Sequence, residues 1–137
     1  MYGSGGTEND TKGGGVIRLS VAGTLTVNGA VKAESYDYAS ICSGAGGSVW
    51  IDAGILLGSG RISADAGDSG YGPSGSGGRV AVYLTDPSST DFSGFSGLIS
   101  AYGGRSYDTN VGSNDRQHGP AGTVYLQAYG QIGRAHV

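Results

Sequence analysis

The chain has 137 residues, of which 29 are glycine, and it carries a formal net charge of −3 at neutral pH. Collagen is excluded because glycine does not recur at every third position, and clusters of valine, isoleucine and leucine exclude a flexible Gly/Ser linker. The mild negative charge argues against a nucleic-acid-binding protein, which usually presents a basic face. No apolar run approaches the roughly 18 residues that a membrane span needs.

The first 13 residues contain no strand pattern and are similar to loops further along the chain. Met1-Tyr2-Gly3 is similar to Ala101-Tyr102-Gly103, which closes the strand part of a repeat unit and opens its loop. We therefore interpret residues 1–13 as a loop of a truncated preceding unit, and we expect the chain to be a piece of a larger protein.

A glycine-rich unit recurs over residues 14–131, and such internal repeats decide an architecture. The units span residues 14–45, 46–76 and 77–120, with a partial fourth at 121–131. Gly46 lies 32 residues after Gly14, and Gly60 lies 31 after Gly29, so the first two units run in step. The first element of each unit reads Gly14-Gly15-Val16-Ile17-Arg18-Leu19, Gly46-Gly47-Ser48-Val49-Trp50-Ile51, Gly77-Gly78-Arg79-Val80-Ala81-Val82 and, more weakly, Ala121-Gly122-Thr123-Val124-Tyr125-Leu126.

Each unit is predicted to form three short strands followed by a loop. Apolar residues alternate along the first strand, which is the period of a strand with one buried face. The segments are too short, too β-branched and too rich in glycine for helices. The second strands are predicted at Thr24-Leu25-Thr26-Val27, at Ile55-Leu56-Leu57 and around Phe92 and Phe95, and the third at Gly29-Ala30-Val31-Lys32-Ala33, Gly60-Arg61-Ile62-Ser63-Ala64 and Gly97-Leu98-Ile99-Ser100-Ala101.

Stacking of the units explains how their apolar faces are buried, because a lone unit has nothing to pack against. We therefore predict an all-β fold, a parallel β-helix of about three coils, with equivalent residues about 4.8 Å apart. The loops at 34–45, 65–76 and 102–120 then share one corner. A twisted antiparallel β-sandwich is the alternative. The predicted buried columns are Ile17/Val49/Val80/Val124, Leu19/Ile51/Val82/Leu126, Val31/Ile62/Ile99 and Ala33/Ala64/Ala101.

The last six residues, Ile132-Gly133-Arg134-Ala135-His136-Val137, have the sequence that one reading frame of a DNA-sequencing adapter encodes. We interpret residues 132–137 as a non-native tail and leave them out of the fold prediction. His118 is then the remaining histidine. A catalytic thiol at Cys42 would need such a partner, and the sequence indicates no catalytic residue.

Three acidic side chains define a candidate calcium site, and no other cofactor is predicted. Glu34 and Asp65 end the third strand of successive units, and Asp68 lies on the same loop as Asp65. Carboxylate oxygens are ligands that calcium prefers. Two such carboxylates repel each other unless a cation or the nearby Arg61 compensates their charge.

Outward-facing aromatic residues on the first strands define a candidate carbohydrate-binding surface. If Val49 and Ile51 point inward, Trp50 points outward, and Tyr83 and Tyr125 belong to outward columns as well. Aromatic rings beside polar groups offer contact area for sugar rings. The alternative is that Trp50 is covered by a loop, or that it lies on the surface of its strand without binding a ligand. The outward columns are Arg18/Trp50/Ala81/Tyr125 and Ser20/Asp52/Tyr83/Gln127.

The repeat pattern G-G-x-V-x-V … G-x-I-x-A-x-G-G resembles the glycine-rich repeats of very large secreted bacterial proteins, including adhesin-like β-helix proteins. The resemblance covers residues from about 13 to 127. It implies an extracellular or cell-surface location and a structural or binding role. The pattern is carried by Gly46-Gly47-Ser48-Val49-Trp50-Ile51, by Gly77-Gly78-Arg79-Val80-Ala81-Val82-Tyr83 and by Gly97-Leu98-Ile99-Ser100-Ala101-Tyr102-Gly103-Gly104.

The function that follows is a non-catalytic structural or adhesive repeat module of an exported protein. Its expected partners are neighbouring coils of the parent chain and a polysaccharide or cell-surface glycan. A carbohydrate-binding surface is the first alternative. The second is a fragment of a β-helical polysaccharide lyase or hydrolase, in which Lys32 or Arg61 would act beside Asp65 and Asp68.

Overall fold

The computed structural model describes residues 12–36, 42–107 and 117–131, together with the backbone of 134–136. These residues form strands and turns, and no helix occurs among them. The strands are β1 (Val16–Thr26), β2 (Ala30–Lys32), β3 (Ser48–Leu57), β4 (Arg61–Ser63), β5 (Arg79–Leu84), β6 (Leu98–Ser100), β7 (Thr123–Gln127) and β8 (Arg134–His136).

The strands form two sheets whose order follows the repeat. The larger sheet has the order β1-β3-β5-β7-β8, and the smaller has the order β2-β4-β6. Every pair is parallel except β7 with β8, which is antiparallel. The fold is therefore all-β, as predicted, and its strands pair in parallel rather than in the antiparallel manner of the sandwich alternative.

The register of both sheets confirms the predicted columns. Val49 pairs with Ile17 on one side and with Val80 on the other, and Val80 pairs with Val124. The Leu19/Ile51/Val82/Leu126 and Val31/Ile62/Ile99 columns are likewise in register. The Ala33/Ala64/Ala101 column is buried, and its amides continue the ladder by donating to the carbonyls of Ser63 and Ser100.

The prediction of three strands per unit is wrong in the first two units, where the first two strands are continuous. β1 and β3 run through the expected corner, and the register shifts by one residue between Val21 and Thr24. β1 has Ala22 and Gly23 at this point where β3 has only Gly54. An extra residue in one strand is a β-bulge, which bends a strand without ending it. A single glycine there does not break the pairing.

In the third unit β5 ends at Leu84, and the predicted second strand is absent from the described residues. Phe92 and Phe95 lie in a turn, where the Phe95 amide donates to the Phe92 carbonyl at 3.0 Å. Phe95 also forms an isolated parallel bridge with Gly58. The insertion after Leu84 separates the two phenylalanines from the strand, yet both side chains pack on the core.

One apolar core lies between the two sheets, and the burial of each core residue depends on whether its strand is in the middle or at the end of the sheet. The middle strands supply the fully buried side chains, which include Val49, Ile51, Ile62, Val80 and Val82. Their column partners on the outer strands are only partly buried, because they have a neighbouring strand of the repeat on one side alone. These partners are Ile17, Leu19, Val31, Ile99, Val124 and Leu126.

The chain returns to the same corner after each loop. The amides of Gly47, Gly78 and Gly122 each donate to the carbonyl of the alanine that follows the preceding third strand, at 2.7 Å in all three cases. The loops also contact one another, since the Ala66 amide donates to the Tyr102 carbonyl at 2.9 Å. The predicted shared corner is therefore a hydrogen-bonded part of the fold.

Two predictions about the chain ends remain predictions. Residues 1–11 lie outside the described part of the chain. The backbone of Arg134–His136 pairs with β7 as a short edge strand, which does not bear on whether that segment is native. Over the described residues, the structure contains no helix long and apolar enough to cross a membrane.

Candidate functional site

The outer face of the larger sheet carries a row of three aromatic rings, Trp50, Tyr83 and Tyr125, which we call the aromatic row. Trp50 stacks on Tyr83 with ring centroids 4.7 Å apart and an interplanar angle of 28°. Tyr83 meets Tyr125 at 5.5 Å and 42°. The three residues predicted as a carbohydrate surface are therefore in contact with one another.

Ala81 explains why residues from two different columns meet in one row. The register places Ala81 between Trp50 and Tyr125, and it places Tyr83 beside Asp52 and Gln127. The small side chain of Ala81 leaves room for Tyr83 to reach both rings. Ala81 faces outward, yet it is only 4% exposed. The aromatic row thus covers the strand beneath it.

Polar neighbours hold the rings of the aromatic row in place. The Trp50 indole Nε1 donates to Asp52 Oδ2 at 2.8 Å, and the Tyr125 hydroxyl donates to Gln127 Oε1 at 3.0 Å. Burial, and then Tyr125 and Asp52, raise the pKa of Tyr83 above its ordinary value. Its hydroxyl therefore stays protonated at neutral pH.

Trp50 is the member of the aromatic row that offers most surface to a ligand. It is 39% exposed, whereas Tyr83 and Tyr125 are half-buried. Tyr83 lies between the other two rings, so its surface is largely occupied by them. Any sugar that binds this face would therefore contact Trp50 first.

A groove of about 590 Å³ lies at the C-terminal ends of β2 and β4, and we call it the charged groove. Its lining includes all three residues of the predicted calcium site, the two predicted basic candidates and two exposed tyrosines. These residues are Lys32, Glu34, Arg61, Asp65, Asp68, Tyr36 and Tyr102.

Serine hydroxyls of one unit bind the carboxylates of the unit before it. Ser63 donates to Glu34 at 2.6 Å, and Ser100 donates to Asp65 at 2.9 Å. Ser63 and Ser100 occupy the same column of the smaller sheet. Both are almost completely buried, so these hydrogen bonds are protected from water. The repeated contact links successive units through their carboxylates.

Arg61 compensates the charge of both carboxylates. Its guanidinium Nη2 lies 2.5 Å from Asp65 Oδ2 and 3.2 Å from Glu34 Oε1. Lys32 adds a second contact to Glu34 at 3.0 Å. The sequence predicted that either a cation or Arg61 would balance this pair, and the structure places Arg61 there.

The calcium site remains a prediction that the observed contacts do not favour. Among the described residues, no group of three or more His, Cys, Asp or Glu side chains is placed to hold a metal ion. Asp68 accepts hydrogen bonds from the Arg105 amide at 2.7 Å and the Tyr107 hydroxyl at 3.2 Å. Asp65 accepts from the Tyr102 amide at 2.7 Å. These carboxylates serve as acceptors for the protein itself.

The same contacts bear on the lyase or hydrolase hypothesis. Lys32 and Arg61, its candidate basic residues, both form ion pairs with carboxylates of the charged groove. A base that abstracts a proton must have access to its substrate in a suitable protonation state. The observed ion pairs therefore assign these side chains a charge-balancing role, and the enzymatic hypothesis stays untested.

The environment of Glu34 predicts a specific dependence of stability on pH. Burial raises the pKa of Glu34, but hydrogen bonds from Ser63 and Lys32 and the charges of Lys32 and Arg61 outweigh it, so the pKa is lowered. A lowered folded-state pKa contributes stability that is present above about pH 4.3, the ordinary value. That stability is lost as the pH falls through the folded-state pKa.

Glu34→Gln should therefore destabilise the fold at pH 7 and have less effect at pH 3. We expect a loss on the order of 1 kcal/mol at neutral pH, in the range of exposed and half-buried ion pairs. Urea unfolding of both proteins from pH 7 to pH 3 measures the difference. A difference that stays constant over this range would contradict the role given to the Glu34 charge.

Comparisons with protein-family models, with curated proteins and with solved structures found no match to this chain. Its functional interpretation therefore depends on its own residues.

Proposed function

We propose that the chain is a non-catalytic structural module, a stretch of parallel β-solenoid of about three coils, in an exported protein that uses it as a stalk or adhesive surface. The observation that carries this proposal is the parallel ladder, in which every repeat strand pairs with its equivalent in the next unit. The register is kept across β1, β3, β5 and β7 in the larger sheet and across β2, β4 and β6 in the smaller.

Recurrent corner contacts support the solenoid. A coil must return to its starting corner once per unit, and the Gly47, Gly78 and Gly122 amides each bind the preceding alanine carbonyl there. Solenoids of this kind have repeats that contact only their neighbours, and they present extended surfaces. The exported location rests on the resemblance of the repeat to secreted adhesin-like proteins.

Duplication of one unit tests the solenoid directly. A variant in which residues 46–76 occur twice in tandem should insert one further coil, because the second copy presents the same edges as the first. In a one-dimensional stack, each added unit contributes its own interface to stability. We expect a β-sheet circular dichroism spectrum, protection of the added unit from proteolysis and a urea midpoint at least equal to that of the parent.

A scrambled insert of the same length and composition provides the control for this experiment. It should be cleaved rapidly, because it lacks the alternation that directs it into the stack. If the duplicated unit is cleaved as fast as the scrambled insert, the solenoid proposal is rejected.

Carbohydrate binding is the second candidate function, and the exposed indole of the aromatic row favours it. Trp50 is held by Asp52 and Tyr83 and still exposes 39% of its surface. Rigid aromatic surface of this kind binds ligands with little loss of side-chain entropy.

We expect Trp50→Ala to reduce retention on immobilised polysaccharide by about tenfold, the loss of roughly 1.4 kcal/mol. Tyr71→Ala is the matched control, because Tyr71 is 59% exposed and belongs to the loop between β4 and β5, outside both sheets. Equal retention of the two variants would reject the aromatic row as the binding surface.

A further inference from the structure

A second groove on the outer face of the larger sheet lies beside Trp50, and we call it the basic groove. It has a volume of about 370 Å³ and lies at the N-terminal parts of β1, β3 and β5. This volume falls within the range of about 300–1,000 Å³ that is usual for small-ligand sites. Its lining includes Val16, Arg18, Ser48, Trp50, Arg79 and Ala81.

Two arginines flank the indole in this groove. Arg18 pairs directly with Trp50 in the β1–β3 register. Arg79 pairs with Ser48, two residues before Trp50 on the same strand. Tyr83 stacks on the indole and lies four residues after Arg79 on β5. Trp50 lines the basic groove, whereas Tyr83 and Tyr125 are not among its lining residues.

Among the described residues, neither arginine of the basic groove forms a salt bridge, and the Asp52 carboxylate nearby accepts from the indole Nε1. Both arginines are exposed, and no carboxylate lines the groove. Lys32, Glu34, Arg61 and Asp65 form ion pairs with one another, and all four lie in the charged groove. The two grooves thus differ: one contains both signs of charge, and the other has cations beside an indole.

This combination of side chains is selective for one chemical class of ligand. The apolar face of a pyranose ring packs on an indole, and a guanidinium binds a carboxylate or sulfate through two parallel hydrogen bonds. We propose that the basic groove binds an acidic saccharide, with its sugar ring against Trp50 and its anionic group between Arg18 and Arg79. The proposal rests on the carbohydrate-binding function above and adds the charge of the ligand.

Nucleic acid shares the anionic character but fits this site less well. Proteins that bind single strands follow the backbone with a continuous basic groove and stack successive bases on several aromatic rings. Here two arginines and one accessible indole occupy a short groove, and the chain as a whole carries a net charge of −3. An acidic sugar unit, whether free or within a polymer, therefore matches the site better than a series of stacked bases.

Trp50 is the only tryptophan in the chain, so its fluorescence reports on the site without any mutation. Unmodified protein should be titrated with polygalacturonate, with dextran sulfate, with neutral dextran and with single-stranded DNA. We expect polygalacturonate, dextran sulfate or both to change the emission of Trp50, and neutral dextran to leave it unchanged. The two acidic polymers distinguish a carboxylate ligand from a sulfate ligand.

Three variants separate charge from geometry in the same titration. Arg18→Gln with Arg79→Gln should weaken binding of the acidic polymer by about tenfold or more, as expected for lost hydrogen bonds to a charged group. The double variant Arg18→Lys with Arg79→Lys keeps the charge but loses the paired hydrogen bonds. Its affinity for the acidic polymer should lie between those of the parent and of the double glutamine variant. Lys12→Gln, a change at an exposed lysine outside both grooves, should bind as the parent does.

The outcomes distinguish this inference from the function on which it rests. If neutral dextran binds as tightly as the acidic polymers and still depends on Trp50, carbohydrate binding stands and the acidic specificity is overturned. If no polysaccharide changes the fluorescence, both are overturned. DNA binding of equal strength that depends on the arginines but does not perturb Trp50 would also overturn the acidic-saccharide site.

Discussion

Gly78→Ala is expected to lower the free energy of unfolding by about 3 kcal/mol or more, at the upper end of overpacking effects. A Cβ atom at residue 78 would lie 2.0 Å from the Gly47 carbonyl oxygen and 2.6 Å from the Gly46 carbonyl carbon. These are backbone atoms of the preceding unit, just before β3, so no side-chain rotation relieves the clash. Urea unfolding followed by circular dichroism should show a large decrease in the midpoint or an unfolded variant.

The same close contact recurs up the stack, which explains the glycine at this point of each unit. Cβ atoms at Gly47 and Gly122 would meet the preceding glycine carbonyls at 1.9 Å and 2.0 Å. Gly23→Ala is the matched control, since a Cβ there has no atom within 4 Å. That change should be neutral or stabilise by up to about 1 kcal/mol, through the unfolded chain. Equal destabilisation by the two variants would contradict the packing explanation.

Ile62→Ala is expected to lower the free energy of unfolding by about 2–5 kcal/mol, the range for large cavities in a core. Ile62 is completely buried and lies in the middle of its column, between Val31 and Ile99. With strands on both sides, the surrounding core has little freedom to close around the cavity. Thermal or urea unfolding measures the loss.

Ile99→Ala makes the same chemical change in the same column at the end of the stack. Ile99 is only partly buried, so its truncation should destabilise the fold less than that of Ile62. A loss at Ile99 equal to that at Ile62 would show that the outer face of this strand is covered in solution. Comparison of the two variants at several protein concentrations would then identify self-association as the cause.

The parallel pairing of the strands was largely predictable because the same pattern recurs several times in the sequence. Period-two alternation determined which face of each strand is buried, and the repeat determined which residues pair. The Ile17/Val49/Val80/Val124 column follows from these two facts alone. The boundary between the first and second strands was not predictable, because Gly23 in β1 and Gly54 in β3 permit a corner as well as continued pairing, and the paired neighbour decides between them.

The candidate sites were predicted in part. Periodicity assigned Trp50, Tyr83 and Tyr125 to the outer face, but their contact depends on the space above Ala81. The proximity of Glu34 and Asp65 followed from the repeat, whereas the Ser63 and Ser100 donors were not recognised. The sequence did contain an indication of these donors, because a serine lies two residues before the loop in two successive units.

The basic groove was not predicted, because its two arginines belong to different columns of the repeat. Arg18 lies in the column of Trp50, and Arg79 lies in the column of Ser48. The repeat places Arg79 two positions before the column of Arg18, Trp50 and Ala81, but it does not indicate that the two arginine side chains line one groove. Both arginines lie beside the indole because they belong to the strands on either side of β3. Arg18 lies directly opposite Trp50, and Arg79 lies opposite the residue two positions before it.

The sequence by itself determined the strand faces, the register and the glycines that successive strands require, because each is a local or periodic property that every unit repeats. The tertiary structure alone decided which side chains of different columns touch, and therefore that Arg61 joins the carboxylates and that Trp50 borders a basic groove. The physical reason is that lateral contacts depend on the volume and charge of single residues, such as Ala81 and Arg79, at which the repeat varies from one unit to the next.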